Sequence, residues 1–247
     1  MRAHLFDRKL IADERFRWRG GEVSRLEAFA DGIFAVTITL LIISSTSSYG
    51  FYDMWLMVRD MPAFLLSFAM ICYAWIEHYL FFRRYGLADG WTLFLNALFL
   101  FLVMILAYPL KLLSVFLWHI ILGEPTLPLF FFPEDATIQF TVFEQRVYMM
   151  YFYSAAIIGV FGTLFFMHFN AYRKRKALEL DQLELLTTIQ SMSGQLISVM
   201  VAICSCLVLK ITQNPGISGV VYFSMPMLHF SAAAYFRHQF KKLETEA

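Results

Sequence analysis

The chain has 247 residues, of which 59% are hydrophobic and only 16% are charged, and its formal net charge is +1. A typical soluble domain carries about 25% charged residues, and a soluble core could not bury five or six separate apolar runs, so the composition predicts a membrane protein. The balanced charge gives no indication that nucleic acid is a partner. All three cysteines fall inside apolar runs, where neither a disulfide nor a metal framework is expected.

Residues 1–24 precede the first apolar run and mix both signs of charge. They contain no apolar h-region, so they do not form a secretory signal, and the first span itself is expected to direct insertion. Their apolar residues stand at loosely helical spacing up to Gly20 and Gly21. The pattern predicts a cytosolic N-terminal segment that contains a short helix.

Six apolar runs follow, each close to the 20 residues that cross about 30 Å of hydrocarbon. They predict an all-α membrane protein with a six-span transmembrane domain over 25–238 and a cytosolic tail over 239–247. The predicted spans cover about 26–43, 61–82, 91–110, 147–169, 189–209 and 217–236. The sequence leaves open whether the third span ends near Pro109 or continues past a proline kink toward Leu122.

The segments between the spans are predicted from their polar composition. A loop is expected over 44–60, an ordered outside loop over 124–141, and a short polar helix over 177–186. Of the 20 basic residues, 16 lie in the N-terminal segment together with Arg25, in the 2–3 and 4–5 loops and at the C-terminus. By the positive-inside rule, this bias places both termini in the cytoplasm, with the protein in the cell membrane.

One row of the first span repeats at intervals of three and four residues, and such residues share a helix face. The row is charged at one end, small in the middle and aliphatic at the other. An aliphatic row on a membrane helix usually serves packing or lipid contact. The alternative is a pore whose narrowest rings are aliphatic and gate by dewetting, and Thr39 would lie beside them. The row consists of Arg25, Phe29, Gly32, Val36, Leu40 and Ile43.

Span two carries two ring N–H groups, on Trp75 and His78, three residues apart. They lie at the depth expected for Asp31, and an ionised group at mid-membrane costs roughly 2.5–3.5 kcal/mol. One interpretation is a Trp75–Asp31–His78 contact, with Arg25 fixing span one at the interface. The other places Trp75 in the interfacial aromatic belt, leaves His78 solvated and has the helix dipole favour Asp31. Asn96 in span three is a candidate for an interhelical hydrogen bond.

Enzymatic and metal-binding motifs are absent from the sequence. The histidines are scattered over different spans, and no H-E-x-x-H or Cys/His pair has the spacing of metal ligands. There is no G-x-S-x-G or Walker motif, and the T-V-G-Y-G filter of ordinary potassium channels is missing. We therefore expect no enzyme activity, no catalytic residue, no metal and no cofactor.

The first span resembles the signature of a known family. Arg25, Phe29 and Asp31 match the R-x-x-x-F-S-D motif of the lysosomal potassium channel family, and the following Thr39-Leu40-Leu41 is similar to its T-L-L. One position departs from the motif, because Ala30 stands where the signature has serine. That change removes a hydroxyl from the hydrogen-bond network around the aspartate.

The resemblance continues through W-x-x-H in span two (Trp75, His78) and Asn96 in span three, over roughly the first 110 residues. It implies a homotetramer of six-span subunits that passes K+ as its permeant ion, with span one lining the pore. It also implies that Val36, Leu40 and Ile43 form the constriction, with Thr39 one step below Leu40. The signature residues and the Trp–His pair would then pack spans one and two together.

Two other functions stay open on the sequence alone. The same scaffold could pass mainly protons, since animal members of the family that it resembles pass protons as well as K+. The chain could also be a non-conducting membrane interaction or sensor protein in which the aliphatic row is only packing. The long charged N-terminus and the 124–141 loop favour this second alternative.

Overall fold

The computed structural model describes residues 15–43, 50–130 and 137–246. All regular structure within these ranges is helical, which confirms the predicted all-α class. The helices are α1 (Arg25–Ile43), α2 (Phe51–Arg59), α3 (Met61–Tyr85), α4 (Gly90–Leu122), a short 3₁₀ helix (Leu127–Phe130), α5 (Val142–Arg173), α6 (Gln182–Thr212), α7 (Pro215–Val221) and α8 (Ser224–Glu246).

Five helical segments in the described part of the chain are long and apolar enough to cross a membrane. They are α3, α4, α5, α6 and the continuous stretch formed by α7 and α8. The chain is therefore built as a multi-pass membrane protein. The predicted first span coincides with α1, which is not among the five. A sixth span stays a prediction.

Two boundaries differ from the sequence prediction. The predicted 44–60 loop contains helix α2, and its residues 44–49 lie outside the described part. The third span does not end at Pro109, because α4 continues as one helix to Leu122 and closes at Gly123 in the left-handed conformation (φ 70°). Neighbouring helices can compensate for the backbone bond that a proline removes inside a membrane bundle. Residues 131–136 of the predicted 124–141 loop also lie beyond the described part.

The short polar helix predicted over 177–186 is wrong. Turns occupy the chain from Lys174 to Glu179, and α6 begins at Gln182. The cause is a capping box, in which Glu184 N–H donates to Asp181 Oδ1 (2.8 Å) and Asp181 N–H donates to Glu184 Oε2 (3.1 Å). Reciprocal bonds of this kind fix where a helix starts.

The N-terminal strap, defined here as residues 15–23, is not helical, so the helix predicted up to Gly20–Gly21 is wrong in this part. Residues 1–14, which hold the rest of that prediction, lie outside the described residues. The side chain of Phe16 is buried and meets Tyr85 edge-on at 5.3 Å. The N–H groups of Arg19 and Gly20 both donate to the carbonyl of Arg83, at 3.1 and 3.0 Å. These bonds to the end of α3 replace the bonds that a helix would make.

The centre of the bundle lies where α4 and α5 pack together, with α6 against α5 and α8 against α6. Phe99, Val160, Leu164 and Met167 are completely buried there. Helix α1 packs against α3 and α4 and closes one side of this bundle. Its remaining face is therefore presented at the surface of the subunit.

Candidate functional site

Helix α1 begins at a capping box whose second member also contacts α3. Ser24 N–H donates to Glu27 Oε2 at 2.8 Å, and Glu27 N–H donates to Ser24 Oγ at 3.2 Å. The other carboxylate oxygen of Glu27 lies 3.5 Å from Arg83 Nε. The S-x-x-E spacing was a sequence signal for this start. The box and the ion pair together fix α1 at the C-terminal end of α3.

The two faces of α1 differ sharply in exposure. Ala30, Phe34, Thr37 and Leu41, spaced by four, three and four residues, are each at most 3% exposed. The row predicted from spacing lies on another face. There Phe29 is 62% exposed, Val36 52% and Leu40 50%, and Arg25 and Gly32 are exposed as well. The side chain of Ile43, the last member of that row, lies outside the described residues.

Threonine hydroxyls of α1 are used within the helix. Thr39 Oγ1 donates to the Ala35 carbonyl and Thr37 Oγ1 donates to the Ile33 carbonyl, both at 2.8 Å. Thr37 is buried, whereas Thr39 is exposed beside Leu40. Thr39 can therefore offer oxygen lone pairs, but not a free proton, to whatever meets the exposed face.

Asp31 accepts a hydrogen bond from Trp75 Nε1 at 2.8 Å, which joins α1 to α3. The predicted second bond from His78 to Asp31 is wrong, because His78 Nε2 lies 2.6 Å from Asn96 Oδ1. Residues three apart on a helix differ by about 60° in direction. Trp75 therefore faces α1 while His78 faces α4, and the two rings bind different partners.

His78 is a buried core residue and not a solvated one. It is 2% exposed, its ring stacks on Phe99 at 5.4 Å and 7°, and Phe34 of α1 lies 6.0 Å away. The contact with His78 confirms the interhelical hydrogen bond expected of Asn96, which is 1% exposed. Because the amide oxygen accepts, the imidazole proton resides on Nε2. The sequence does not predict the contact of Phe34 with this site, since nothing distinguishes it from the other apolar residues of α1.

Arg25 and Phe29 do not pack against α3 in this chain, contrary to what the resemblance implies for the whole signature. Both side chains are exposed, and among the described residues Arg25 makes no ion pair. The helical turn assigns the α3 and α4 contacts to Ala30 and Phe34, which leaves Phe29 on the other side. Any partner of these two signature residues must therefore lie outside the described part of one subunit.

A polar cluster outside the spanning helices ties the α3–α4 connection to α5. Asp89 Oδ1 lies 2.7 Å from Lys174 Nζ and accepts from Thr92 Oγ1 at 2.8 Å. Partial burial alone would raise the pKa of the Asp89 carboxyl, but the hydrogen bonds from Lys174 and Thr92 and the charge of Lys174 hold it at about 2. Asp89 is therefore ionised at neutral pH.

Metal-ligating side chains do not cluster. Within residues 15–43, 50–130 and 137–246, no group of three His, Cys, Asp or Glu could hold a metal ion. The structure thus offers no metal centre among these ranges, and the expectation that the protein needs no cofactor stays a prediction.

Comparison with known proteins adds to this geometry. The family model described as "Endosomal/lysosomal potassium channel TMEM175" matches residues 25–107, the stretch that holds α1 to α3 and most of α4. A protein named "Potassium channel" from Marivirga tractuosa is 31% identical over 226 residues, which cover 89% of this chain and 90% of that protein. The chain belongs to the TMEM175 potassium channel family. Its members are ion channels and not enzymes.

Other TMEM175 relatives agree over part or all of the chain. "Potassium channel Cha6605_3372" from Chamaesiphon minutus is 34% identical over 106 residues, 40% of this chain and 52% of that protein. The crystal structure of a variant of the potassium channel MtTMEM175, bound to a nanobody–MBP fusion protein, has a TM-score of 0.75 at 29% identity and covers 95% of this chain and 100% of that one. A TMEM175 homologue from Chamaesiphon minutus, described as a lysosomal potassium-selective channel, shares the fold with a TM-score of 0.53 at 21% identity, over 84% of this chain and 96% of that one.

Proposed function

We propose that four copies of this chain form a potassium-permeable cation channel with α1 of each copy lining the pore. The observation that carries the proposal is the division of α1 into two faces. One face packs on α3 and α4, and the other presents Val36 and Leu40 at about half exposure. The relatives named as potassium channels support K+ as the permeant ion.

The exposed face suits self-association better than lipid contact. Gly32 leaves open space at its surface, where a Cβ would meet nothing within 4 Å, so another backbone can approach closely. Arg25 at the same face is costly in hydrocarbon but acceptable where a pore admits water. A row that begins charged, continues small and ends aliphatic fits a pore that narrows from the cytoplasmic side.

In this arrangement Val36, Leu40 and Ile43 form the constriction, and Thr39 is the polar residue beside it. A ring of aliphatic side chains resists wetting when narrow, so it restricts passive flow of K+ without binding the ion tightly. Asp31, Trp75, His78 and Asn96 act structurally, as contacts that hold α1 in place, whereas the exposed Arg25 and Phe29 act structurally at the contact between copies. The protein lies in the cell membrane with both termini in the cytoplasm.

Two adjacent leucines make a sharp test. Leu40 is 50% exposed on the proposed pore face, whereas Leu41 is 2% exposed against α3 and α4. In planar bilayers, Leu40→Ala should raise conductance or loosen the preference for K+ over Na+. Leu41→Ala removes the same atoms and should lower thermal stability while leaving single-channel permeation intact. Leu40→Ala channels with wild-type currents would refute the assignment.

The same preparation separates the alternative functions. Reversal potentials under opposing proton and potassium gradients distinguish a proton channel from a potassium channel. Liposomes that show no potassium-dependent dye response would instead favour a non-conducting membrane protein. Native mass spectrometry gives the number of subunits, and a species other than the tetramer would contradict the proposed assembly. Asp31→Asn should reduce tetramer yield more than it changes ion preference.

A further inference from the structure

A polar cavity lies between α3, α6 and α8, and none of its lining residues comes from α1. Its volume is about 260 Å³, and its polar lining includes Glu77, Arg84, Ser191, Gln195 and His229. A cavity of this size holds several water molecules or a small polar molecule. Polar groups at membrane depth are costly and typically functional. The hydrogen-bond donors and acceptors that face the cavity therefore indicate which kind of ligand it binds.

Glu77 supplies a carboxylate inside the spanning helix α3. It lies eight residues before the end of α3 at Tyr85, which is about 12 Å along the helix axis. Among the described residues, no cation lies within ion-pair distance of it, and its polar contact is Gln195 Nε2 at 3.5 Å from Oε2. Arg84 lines the same cavity, and its positive charge acts on Glu77 from beyond ion-pair distance, while Arg84 Nη1 lies 3.4 Å from Ser191 Oγ and the guanidinium 5.4 Å from the Phe16 ring.

Gln195 leaves a buried acceptor at the cavity. The residue is 3% exposed, and its Nε2 lies between Glu77 Oε2 and His168 Nδ1, which is 3.1 Å away. His168 Nδ1 also lies 3.0 Å from the Leu164 carbonyl. If Nδ1 carried the imidazole proton, the side-chain amide of Gln195 would have to be reversed, and its oxygen would then face the Glu77 carboxylate. With Nε2 facing the carboxylate, Oε1 has no hydrogen-bond partner among the described residues.

His229 contributes a second acceptor. The hydroxyl of Ser198 donates to the Gly194 carbonyl at 3.3 Å, so it accepts from His229 Nε2–H at 3.1 Å. A neutral imidazole with its proton on Nε2 keeps a lone pair on Nδ1. That nitrogen lies on the cavity side, 3.7 Å from where a Cβ on Gly194 would stand.

We propose that this cavity binds a primary ammonium group. It presents a carboxylate, an amide oxygen and an imidazole nitrogen, which all accept hydrogen bonds, and an ammonium group offers N–H donors together with the opposite charge. A potassium ion has no N–H to direct at His229. The ammonium group comes either from a free small amine or from the head group of an aminophospholipid, and the site is independent of whether α1 forms a pore.

The test uses the full purified chain in detergent with thermal unfolding as the readout. Methylammonium should raise the unfolding midpoint, whereas tetramethylammonium, which has the same charge but no N–H, and K+ should raise it less. Glu77→Gln keeps the side-chain shape and should weaken the methylammonium effect at least about tenfold, because a charge-assisted hydrogen bond is lost. A second arm replaces methylammonium with vesicles of phosphatidylethanolamine against phosphatidylcholine, and a Glu77-dependent gain there identifies the lipid as the source.

Two further variants keep the proposal falsifiable. Gly194→Leu fills the cavity without changing its charge and should also weaken the methylammonium effect. It replaces Glu77→Gln as the test if that variant does not fold. Leu40→Ala lies outside the cavity and should retain the full methylammonium effect, which separates this site from ion binding in the proposed pore. Equal stabilisation by methylammonium and tetramethylammonium, or an effect that survives in both cavity variants, would overturn the proposal.

Discussion

Two phenylalanines on α1 test whether the helix has one structural face and one assembly face. Phe34 is 3% exposed and its ring lies 6.1 Å from that of Phe99, whereas Phe29, five residues earlier, is 62% exposed. Phe34→Ala and Phe29→Ala remove the same atoms from the same helix. We expect the first to destabilise the subunit and the second to weaken its assembly.

The size of the Phe34→Ala effect follows from packing. In a bilayer, lipid is as apolar as the protein core, so the transfer term that dominates in water contributes little. The remaining cavity, about 100 Å³ for a lost phenyl ring at roughly 24 cal/mol per Å³, costs about 2.4 kcal/mol. At about 2–4 °C per kcal/mol for a chain of this size, the unfolding midpoint should fall by roughly 5–10 °C. Phe29→Ala opens no cavity within the subunit and should change monomer stability by less than about 0.5 kcal/mol.

The assay combines thermal unfolding of the solubilised protein with native mass spectrometry of its oligomers. Phe34→Ala should shift the midpoint and leave the oligomer distribution of the surviving protein unchanged. Phe29→Ala should do the reverse and reduce the tetramer. Equal losses of stability in both variants would refute the two-face interpretation of α1, and so would a Phe29→Ala protein with an unaltered oligomer distribution.

Three other predictions concern the contacts around α1, the connection between α3 and α4, and the N-terminal strap. Trp75→Phe keeps an aromatic ring but removes the donor to Asp31, a bond worth about 0.5–1.5 kcal/mol, and should lower the unfolding midpoint. The pKa of Asp89 is held at about 2, below its ordinary 3.8, so its pairing with Lys174 stabilises the fold above about pH 4 and is lost as the pH falls to about 2. Stability measured over that range should decline less in Asp89→Asn. Gly20→Ala places a Cβ 2.6 Å from a backbone carbonyl of α3 and should detach the N-terminal strap, measured as faster proteolysis before α1.

Each of these predictions has a matched control. Trp91 is 53% exposed, so Trp91→Phe should leave the midpoint unchanged, and an equal loss in both tryptophan variants would remove the special role of the Asp31 bond. Gly21 has nothing within 4 Å of its Cβ position, so Gly21→Ala should not change proteolysis. If the stability of Asp89→Asn declined at acid pH as steeply as that of the natural protein, other carboxylates would dominate the pH dependence.

The exposed row of α1 could be predicted because spacing alone places every third or fourth residue on one face. The Asp31–Trp75 bond could also be anticipated, since a carboxylate at membrane depth and a ring N–H both need hydrogen-bond partners. The partner of His78 could not, because a rotation of about 60° around α3 decides between α1 and α4. In the fold the His78 ring stacks on Phe99, which itself lies 6.1 Å from Phe34, and the sequence does not show these contacts.

Boundaries were harder to predict than faces. The end of α4 was open because Pro109 normally interrupts a helix in water, whereas here the bundle accommodates it. The sequence does not reveal helix α2, because nine residues are too few to show a clear period. Nor does it reveal the extended strap over 15–23, because the burial of Phe16 depends on Tyr85, a contact between distant parts of the chain.

The strap also closes the C-terminal end of α3, which has a consequence for the integrity of the subunit. The Arg83 carbonyl receives two N–H groups from residues more than 60 positions earlier, and Arg83 Nη1 donates in return to the Gly21 carbonyl at 2.7 Å. The amides of Arg19 and Gly20 should therefore exchange with deuterium in step with the last turn of α3, as one cooperative unit. Trimming the chain back past Gly21 would fray a helix that crosses the bilayer, although every residue removed lies ahead of the first apolar run.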